Sequence, residues 1–417
     1  MIIFWERRST MIKTDKKKNK KWMRPRHRLV RNLLNVTLGI YTRVKYGVKV
    51  EKFKEQEERP YLILLNHQTA FDQFFVGMAF KGAVYYLASE DIFSMGFASS
   101  LIKYLVNPIP IKKQTTDVKA IKTCIRVARE GGTIAIAPEG NRTYSGRTEY
   151  MSPSIAPLAR RLGMPIALFR IEGGYGVHPR WSDVVRKGKM KAYVSRVISP
   201  EEYATLTDDE LFAIIEKELY IDEAVLDAEF YHKKNAEYLE RAVYYCPFCG
   251  LSTFESNGDV ITCKKCERQI KYLPTKELEG VGFEFPYRFV ADWYDAQAEF
   301  IKSFDVLAYD NEPMYRERGD LYEVIPYENK KLIEENVEIE LYGDRLELML
   351  GGEKTVWKFE DATAITVLGK NKLNVYYGDK IYQIKPGKRF NALKYVHIYH
   401  RSKNMVKGET NEQFLGL

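Results

Sequence analysis

The sequence predicts an α/β domain with a mixed, mostly buried sheet, followed by a small cysteine-knuckle ribbon and a β-rich C-terminal domain. Three observations lead to this fold class. Short apolar runs alternate with helical stretches over residues 46–220, two C-x-x-C pairs follow near residue 250, and turn-separated strand patterns come after residue 337. Of the 417 residues, 45% are hydrophobic, so the chain is suited to two or three packed domains and general disorder is excluded.

The N-terminal region carries most of the excess positive charge. The formal net charge is +9, which favours an anionic partner such as nucleic acid, an anionic membrane surface or a phosphorylated small molecule. Residues 1–25 are too charged to form a core and are expected to be a flexible basic arm. Residues 26–45 predict a basic amphipathic helix, because apolar residues recur at helical spacing between cations. These apolar positions are Leu29, Leu33, Val36, Ile40 and Val44.

This helix has two interpretations. It can lie in a membrane interface, with its apolar face among acyl chains and its cations beside anionic headgroups. Alternatively, its apolar stripe packs on its own domain. No uninterrupted apolar run approaches the roughly 18 residues typical of a spanning helix, and the stretch from Met1 to Trp5 is too short for a signal-peptide core. We therefore expect a cytoplasmic protein that is peripheral on the cytosolic face of a membrane and has no transmembrane helix.

The α/β domain is expected to span residues 46–220. Its strands should be buried on both faces, because their runs are apolar throughout rather than alternating. The predicted strands are 61–65, 83–88, 133–137, 165–171 and 191–198, and predicted helices include 121–129 and 154–162. Thr207 and Glu210 form a capping box that begins a further helix. Residues 221–244 are predicted to be a helical spacer.

A histidine and an aspartate follow the first of these strands. Asn66 and His67 come directly after the apolar run, and Asp72 stands five positions beyond the histidine. A turn at a strand end can bring the two side chains together. An aspartate that accepts a hydrogen bond from one ring nitrogen leaves the other nitrogen free to remove a proton from a hydroxyl. A hydroxyl activated in this way can attack an acyl thioester without an enzyme nucleophile.

A second loop suits phosphate recognition. Glu139, Gly140 and Arg142 follow another apolar strand. An arginine offers a planar fork of donors to phosphate oxygens, and a glycine lets the backbone approach a ligand closely.

Together these segments resemble the glycerolipid acyltransferase family, typified by 1-acylglycerol-3-phosphate acyltransferases. The shared features are Asn-His-x-x-x-x-Asp, here at residues 66–72, and Glu-Gly-x-Arg, which begins here at Glu139, about 70 residues on. The resemblance covers roughly residues 30–220. It implies an O-acyltransferase of phospholipid biosynthesis that moves a fatty acyl group from acyl-coenzyme A or acyl-carrier protein to the hydroxyl of lysophosphatidate, without a catalytic cofactor.

The resemblance also implies roles for particular residues. His67 would be the general base and Asp72 its orienting partner, and Glu139, Gly140 and Arg142 would help to bind the acceptor phosphate. Lys112 and Lys113 stand where the family has a basic acceptor contact that is more usually arginine, so the charge is kept and the bidentate fork is lost. This departure leaves glycerol 3-phosphate and other lysophospholipids open as alternative acceptors.

Four of the five cysteines predict a metal site. Cys246 and Cys249 form one knuckle, and Cys263 and Cys266 form another after 13 intervening residues. This spacing suits tetrahedral zinc, and four thiolates leave no open position, so the zinc should be structural. The segment 245–272 resembles a zinc ribbon. Nucleic acid is a disfavoured partner, because the flanking charge is modest and no aromatic–basic interleaving is present.

The C-terminal region, residues 285–417, predicts a series of strands and a final helix. It looks like a small pleckstrin-homology-like module. Its lysines can meet lipid headgroups or form an ordinary solvated face. The lysines considered are Lys370, Lys372, Lys385 and Lys388.

The sequence leaves two functions from different classes open. The first is a membrane-surface acyltransferase whose partners are anionic lipids, a lysophospholipid acceptor and an acyl donor. The second is a non-catalytic zinc-ribbon adaptor with a degenerate acyltransferase domain. The paired motifs favour the enzyme, and nothing in the sequence specifies an oligomeric state.

Overall fold

The computed structural model describes residues 21–56, 60–111, 117–325 and 328–408. Within these ranges, the first half of the chain contains one seven-stranded sheet and eight α-helices. The strands are β1 (Val48–Val50), β2 (Leu62–Leu65), β3 (Val84–Ser89), β4 (Ile109–Ile111), β5 (Thr133–Ile136), β6 (Ile166–Glu172) and β7 (Met190–Ile198). The helices are α1 (Pro25–Tyr46), α2 (Asp72–Ala79), α3 (Phe97–Leu105), α4 (Val118–Arg129), α5 (Ile155–Leu162), α6 (Gly174–Val177), α7 (Pro200–Ala204) and α8 (Asp208–Leu219).

The sheet is mixed and largely buried, as the sequence predicts. Its strand order is β1-β7-β6-β2-β5-β3-β4. Strands β6, β2, β5, β3 and β4 run parallel to one another, and β7 is antiparallel to β6. All four residues of β2 are buried, and they face two different hydrophobic clusters in alternation. The carboxyl ends of β2 and β5 therefore lie side by side at one edge, where binding residues of α/β sheets commonly gather.

The capping box at Thr207 is present. Its hydroxyl accepts from the Glu210 backbone N–H at 3.2 Å, and the Glu210 carboxylate accepts from the Thr207 N–H at 2.7 Å. Helix α8 begins there and ends at Leu219, which agrees with the predicted helix.

The predicted helical spacer over residues 221–244 is wrong. The only helix within it is the short 3₁₀ turn Leu239–Arg241. Tertiary contacts decide the conformation instead. The Phe230 ring packs where a Cβ on Gly176 or Gly188 would lie, and the buried Arg241 bonds to Asp183 at 2.9 Å. These contacts outweigh the weak local preference for helix.

The cysteine region forms a ribbon that extends beyond the predicted end at residue 272. Strands β8 (Tyr245–Cys246) and β9 (Gly250–Leu251) form a short hairpin. A four-stranded antiparallel sheet follows, made of β10 (Phe254–Asn257), β11 (Val260–Cys263), β12 (Gln269–Tyr272) and β13 (Leu278–Gly280). Helix α9 (Val290–Ser303) packs on it, with the Trp293 and Phe254 rings 5.3 Å apart.

The C-terminal region is a seven-stranded antiparallel sheet that ends in a helix. The elements are β14 (Tyr315–Glu323), β15 (Lys331–Leu341), β16 (Arg345–Leu350), β17 (Glu353–Lys358), β18 (Ala362–Leu368), β19 (Lys372–Tyr377), β20 (Lys380–Pro386) and α10 (Ala392–Lys407). The strand order is β17-β16-β15-β14-β20-β19-β18. Its core is continuous with that of the ribbon and with Tyr144, Tyr175 and Trp181 of the first half. The C-terminal region is therefore packed against the α/β domain, and not attached only by a linker.

Two 3₁₀ turns complete the secondary structure of the described residues. They are Glu90–Phe93 and Val306–Ala308. None of the helices in the described part of the chain combines the length and the apolar character needed to cross a bilayer.

Candidate active site

His67 and Asp72 are in direct contact. The turn after β2 brings His67 Nδ1 to 2.8 Å from Asp72 Oδ2. The Asp72 side chain is 1% exposed, whereas the His67 side chain is 28% exposed. A carboxylate on Nδ1 fixes the ring so that Nε2 is the acceptor nitrogen. The pair thus presents one basic nitrogen toward solvent-accessible space while its partner is buried.

The Asp72 carboxylate is held by the chain around it. It accepts from the Gln68 N–H at 2.8 Å, from the Thr69 N–H at 2.9 Å and from the Thr69 hydroxyl at 2.7 Å. Asp72 is also the first residue of α2, where the helix dipole favours a negative charge. A buried carboxylate requires such donors, and here they fix its orientation toward His67.

Asn66 locks the end of β2 to the neighbouring strand. Its side-chain amide donates to the Ile171 carbonyl at 2.8 Å and accepts from the Ile171 N–H at 2.8 Å. These two bonds replace a backbone pair where the strand turns away. The asparagine of the motif therefore positions His67 rather than contacting a reactant.

Glu139 lies behind the histidine. Its carboxylate accepts from the His67 backbone N–H at 2.8 Å, and its other oxygen has no partner among the described residues. Burial raises the pKa of Glu139 to about 8, an effect that the His67 hydrogen bond opposes and the nearby Glu149 reinforces. This contact ties the loop after β5 to the loop after β2.

Arg142 follows in the same loop, after a turn at Gly140. Gly140 has φ +69°, and a Cβ placed there would meet no atom within 4 Å, so the left-handed turn explains the glycine. Burial lowers the pKa of Arg142 to about 10, and the nearby Arg180 adds to this effect while Asp72 opposes it. The guanidinium therefore stays charged, and its buried Nη1 has no partner among the described residues. A buried, unpaired cationic donor suits an anionic ligand.

The rings of His178 and Tyr46 lie near Arg142. The His178 ring lies 5.8 Å from the Tyr46 ring at the end of α1. Burial lowers the pKa of His178 to about 3, with Lys370 and Arg142 contributing, so this imidazole is neutral at physiological pH. Its Nδ1 has no partner among the described residues. His178 therefore lies beside Arg142, although it is not among the site residues predicted from the sequence.

The structure does not describe the two predicted lysines. Lys112 and Lys113 lie outside the described residues, directly after β4.

The four knuckle cysteines converge. Their sulfur atoms all lie within 4.8 Å of one another, with 3.8 Å between the Cys246 and Cys266 sulfurs and 3.6 Å between those of Cys249 and Cys263. Tetrahedral zinc with bonds of about 2.3 Å requires sulfur separations of roughly 3.8 Å. The Ser252 hydroxyl lies 3.1 Å from Cys263 Sγ, in the position of an outer hydrogen-bond partner. The donor set therefore fits a closed tetrahedral metal site.

Sequence reasoning missed two residues near Arg142. Arg180 is not among the site residues predicted from the sequence, and Lys370 is expected to face lipid headgroups or solvent. Instead, Arg180 donates to the Arg142 carbonyl at 2.8 Å, and Lys370 donates to Asp183 at 2.9 Å. Lys370 is far from Arg142 in the chain, so no local pattern could have joined them.

The titration of Glu139 makes a testable prediction. The pKa of Glu139 is about 8 in the folded protein and about 4.5 in the unfolded chain. Between pH 4.5 and pH 8, Glu139 is therefore protonated in the folded protein and ionised in the unfolded chain. The free energy of unfolding should therefore fall as pH rises. Glu139→Gln keeps an oxygen for the His67 N–H but removes the proton. Between pH 5.5 and pH 8, the free energy of unfolding of the wild type, measured with urea, should fall by about 2–3 kcal/mol more than that of the variant. Equal losses would mean that the native carboxyl is ionised.

This chain is similar to known acyltransferases. The acyltransferase family model matches residues 47–171. The chain is 24% identical to a 1-acyl-sn-glycerol-3-phosphate acyltransferase of Bacillus subtilis over 191 residues, which are 45% of this chain and 90% of that protein. It is 20% identical to a chloroplastic 1-acyl-sn-glycerol-3-phosphate acyltransferase, BAT2, of Brassica napus over 42% of this chain and 51% of that protein.

A solved structure is also similar. It is the 1-acyl-sn-glycerophosphate acyltransferase PlsC from Thermotoga maritima, with 21% identity, a TM-score of 0.40, and coverage of 47% of this chain and 80% of that one. The family model, with both motifs inside its bounds, supplies the assignment. Residues 47–171 match this family model, and together with the two relatives the match supports an O-acyltransferase domain there.

Proposed function

We propose that this protein transfers a fatty acyl group from a thioester donor to the free hydroxyl of lysophosphatidate. The observation that carries the proposal is the 2.8 Å contact between His67 Nδ1 and the buried Asp72 carboxylate, at a sheet edge that also holds Arg142. The names of the relatives from Bacillus and Brassica support the choice of acceptor.

The first step is attack on the donor. His67 Nε2 takes the proton of the acceptor hydroxyl while the oxygen forms a bond to the thioester carbonyl carbon. The imidazole becomes an imidazolium, and the Asp72 carboxylate at its Nδ1–H stabilises the new charge. The carbonyl oxygen of the tetrahedral intermediate carries the negative charge.

The second step releases the thiol. The intermediate collapses, the carbon–sulfur bond breaks, and the imidazolium returns its proton to the leaving sulfur. The products are an ester and a free thiol, with His67 neutral again. Acyl-coenzyme A and acyl-carrier protein are both suitable donors, since each presents a thioester. The proton and electron pairs balance between the acceptor, the thioester and His67.

Arg142 is the proposed contact for the acceptor phosphate. Its guanidinium is within electrostatic reach of Asp72, and its buried Nη1 donor lacks a protein partner among the described residues. Gly140 supplies the turn, and Glu139 acts through the His67 backbone. Lys112 and Lys113 remain proposed acceptor contacts. Glycerol 3-phosphate presents the same phosphate and a similar hydroxyl, so it is the alternative acceptor.

The cysteine site is proposed to hold one structural zinc ion. Cys246, Cys249, Cys263 and Cys266 would supply all four ligands. The metal would then stabilise a ribbon that is too small to form a sufficient core alone. The ribbon also contacts helix α9, because the Tyr245 ring stacks on the Phe300 ring with their centroids 4.5 Å apart.

Helix α1 is proposed to rest on an anionic membrane surface. The predicted apolar stripe does not pack on the described part of its own domain: Leu29 is 70% exposed, Leu33 65% and Ile40 60%. The cations Arg28, Arg43 and Lys45 are exposed on the same helix. A helix of this kind binds bilayers through its apolar face and its cations together.

The α1 surface extends to a second helix. The Arg26 guanidinium lies 4.0 Å from the Tyr104 ring of α3, and α3 itself exposes 82% of Phe97. Large exposed apolar side chains grouped on neighbouring helices support membrane contact. The proposed enzyme would thereby meet its lipid acceptor at the bilayer surface.

The C-terminal region is proposed to be a pleckstrin-homology-like module within residues 285–417. Its seven antiparallel strands and final helix α10 support this assignment. Its Lys370 is unavailable to headgroups because its ammonium is already bonded to Asp183. Residues 46–220 are proposed as the acyltransferase domain and residues 245–280 as the ribbon. Most of the expected basic arm, residues 1–20, lies outside the described residues. Its end is not a free arm, because the Trp22 and Met23 N–H groups donate to Glu130 at 3.0 and 2.9 Å.

The general-base role is tested by His67→Ala. Transfer from acyl-coenzyme A to lysophosphatidate should fall at least about a hundredfold, because proton removal from the hydroxyl is lost. The thermal unfolding midpoint should change little. His232→Ala, which alters a histidine outside this site, is the matched control and should keep full activity. Undiminished transfer by His67→Ala would remove this residue from the mechanism.

The metal proposal is tested by elemental analysis. The purified chain should contain one zinc equivalent, and Cys249→Ser should lose it while the thermal midpoint falls by about 5 °C or more. Cys124→Ala removes the cysteine outside the cluster and should keep the metal. A metal-free wild type with the same midpoint as a zinc-loaded sample would rule out a structural zinc site.

Membrane binding is tested by flotation with vesicles that contain about 30% anionic lipid. Leu33→Glu combined with Ile40→Glu should weaken binding by about a hundredfold, because two apolar contacts are lost and two negative charges are added. Val406→Glu is the control, since Val406 is an equally exposed apolar residue (70%) of α10. Equal flotation of all three proteins would contradict a membrane role for α1.

A further inference from the structure

The turn between β18 and β19 reaches across to the acyltransferase domain. The Tyr144 hydroxyl, two residues after Arg142, donates to the Lys370 carbonyl at 2.8 Å. The Lys370 ammonium donates to the Ser182 carbonyl at 2.6 Å and to Asp183 at 2.9 Å. The turn of the C-terminal region therefore makes polar contacts with two loops at the proposed acceptor site.

Arg180 connects that turn to Arg142. Its Nε donates to the Gly369 carbonyl at 2.8 Å, and its Nη1 donates to the Arg142 carbonyl at 2.8 Å. The guanidinium also lies over the Tyr144 ring, 4.2 Å from its centroid. Arg180 is only 2% exposed. A buried guanidinium that donates hydrogen bonds to two chain segments restrains both of them.

The charges at this junction are unbalanced. Four cations, Arg142, Arg180, Arg241 and Lys370, lie near three carboxylates. Asp183 pairs with both Lys370 and Arg241, Glu149 interacts with Arg180, and Asp72 interacts with Arg142. Burial is the main cause that lowers the pKa of Lys370, and Arg142 contributes to the same direction. The buried Arg142 Nη1 and His178 Nδ1 have no partner among the described residues. A surplus of buried positive charge beside unpaired ring and guanidinium nitrogens suits an anion.

We infer that the C-terminal region completes the acceptor site of the acyltransferase domain, with Arg180 and Lys370 as positioning residues for Arg142. Arg180 restrains the Arg142 backbone through the hydrogen bond to its carbonyl. Lys370 fixes the turn whose Gly369 carbonyl accepts from Arg180. Lys370 also adds positive potential for a phosphomonoester. This inference rests on the proposed function, in which Arg142 binds the acceptor phosphate.

The Bacillus relative aligns with less than half of this chain. The alignment covers 90% of that protein but only 45% of this chain, so more than half of this chain has no aligned counterpart there. In this chain, the acyltransferase domain has its Arg142 loop supported by a turn from the C-terminal region.

Four variants of the full chain test the inference. Arg180→Lys keeps the charge but cannot make the two-sided fork, and Lys370→Met removes the charge with little change in length. Lys370→Arg restores the charge and is the rescue variant. Lys385→Ala removes an exposed lysine of the same C-terminal region and is the matched control. Arg180 is buried, so the Lys370 variants on the turn remain informative if Arg180→Lys folds poorly.

The readouts are steady-state transfer and hydrogen–deuterium exchange of residues 139–146. Arg180→Lys and Lys370→Met should raise KM for lysophosphatidate about tenfold or more, with kcat and KM for acyl-coenzyme A within about twofold of wild type. Exchange in residues 139–146 should become faster in both variants. Lys370→Arg should restore most of the wild-type behaviour, and Lys385→Ala should match wild type in both measurements.

The outcomes separate the inference from the proposed function. A wild type that uses no acceptor would overturn the proposed function, while exchange in residues 139–146 would still decide whether the turn positions Arg142. Unchanged exchange in Lys370→Met and Arg180→Lys would overturn positioning. Faster exchange with an unchanged acceptor KM in an active enzyme would overturn the link to acceptor binding.

Discussion

The buried Asp72 carboxylate is the constraint around which the site is built. A carboxylate with 1% exposure needs donors on its oxygens, and the Gln68 and Thr69 backbone supplies them only if the chain turns tightly between β2 and α2. That turn also places His67 Nδ1 2.8 Å from Asp72 Oδ2, where the carboxylate can accept a further hydrogen bond. The geometry of the dyad is thus a consequence of satisfying one buried charge at a strand end.

The rest of the site depends on loops that are tied to this turn. Asn66 fixes the end of β2 to β6, and Glu139 fixes the loop after β5 to the His67 backbone. Adjacent parallel strands make these ties possible, because their carboxyl ends emerge at the same edge. Arg142 and its unpaired guanidinium nitrogen then lie in a loop that is anchored at both the histidine and Arg180. Rigid placement of this kind is what an enzyme needs to orient a hydroxyl toward a thioester.

Sequence reasoning succeeded where the physical signal was local. The buried strands read as continuous apolar runs, and the capping box at Thr207 marked the start of α8. It failed where tertiary contacts decided the outcome. Residues 221–244 have helix-compatible composition but are held by Phe230 and Arg241 in an irregular path. Strand β14 (Tyr315–Glu323) is not among the strands predicted after residue 337, because its charged residues dilute the alternating pattern. In the structure, β15 and β20 pair with it on both sides.

The sequence by itself determined the chemistry that is available: a histidine and an aspartate five residues apart after a strand, an arginine after a glycine turn, and four cysteines in two knuckles. These signals are local because a turn or a knuckle needs only a few neighbouring residues to form. Only the tertiary structure decided that Glu139 faces the His67 backbone, that the α1 stripe is exposed, and that Lys370 lies near Arg142. These depend on contacts between residues far apart in the chain, whose free energy is set by packing and burial and leaves no periodic trace in the sequence.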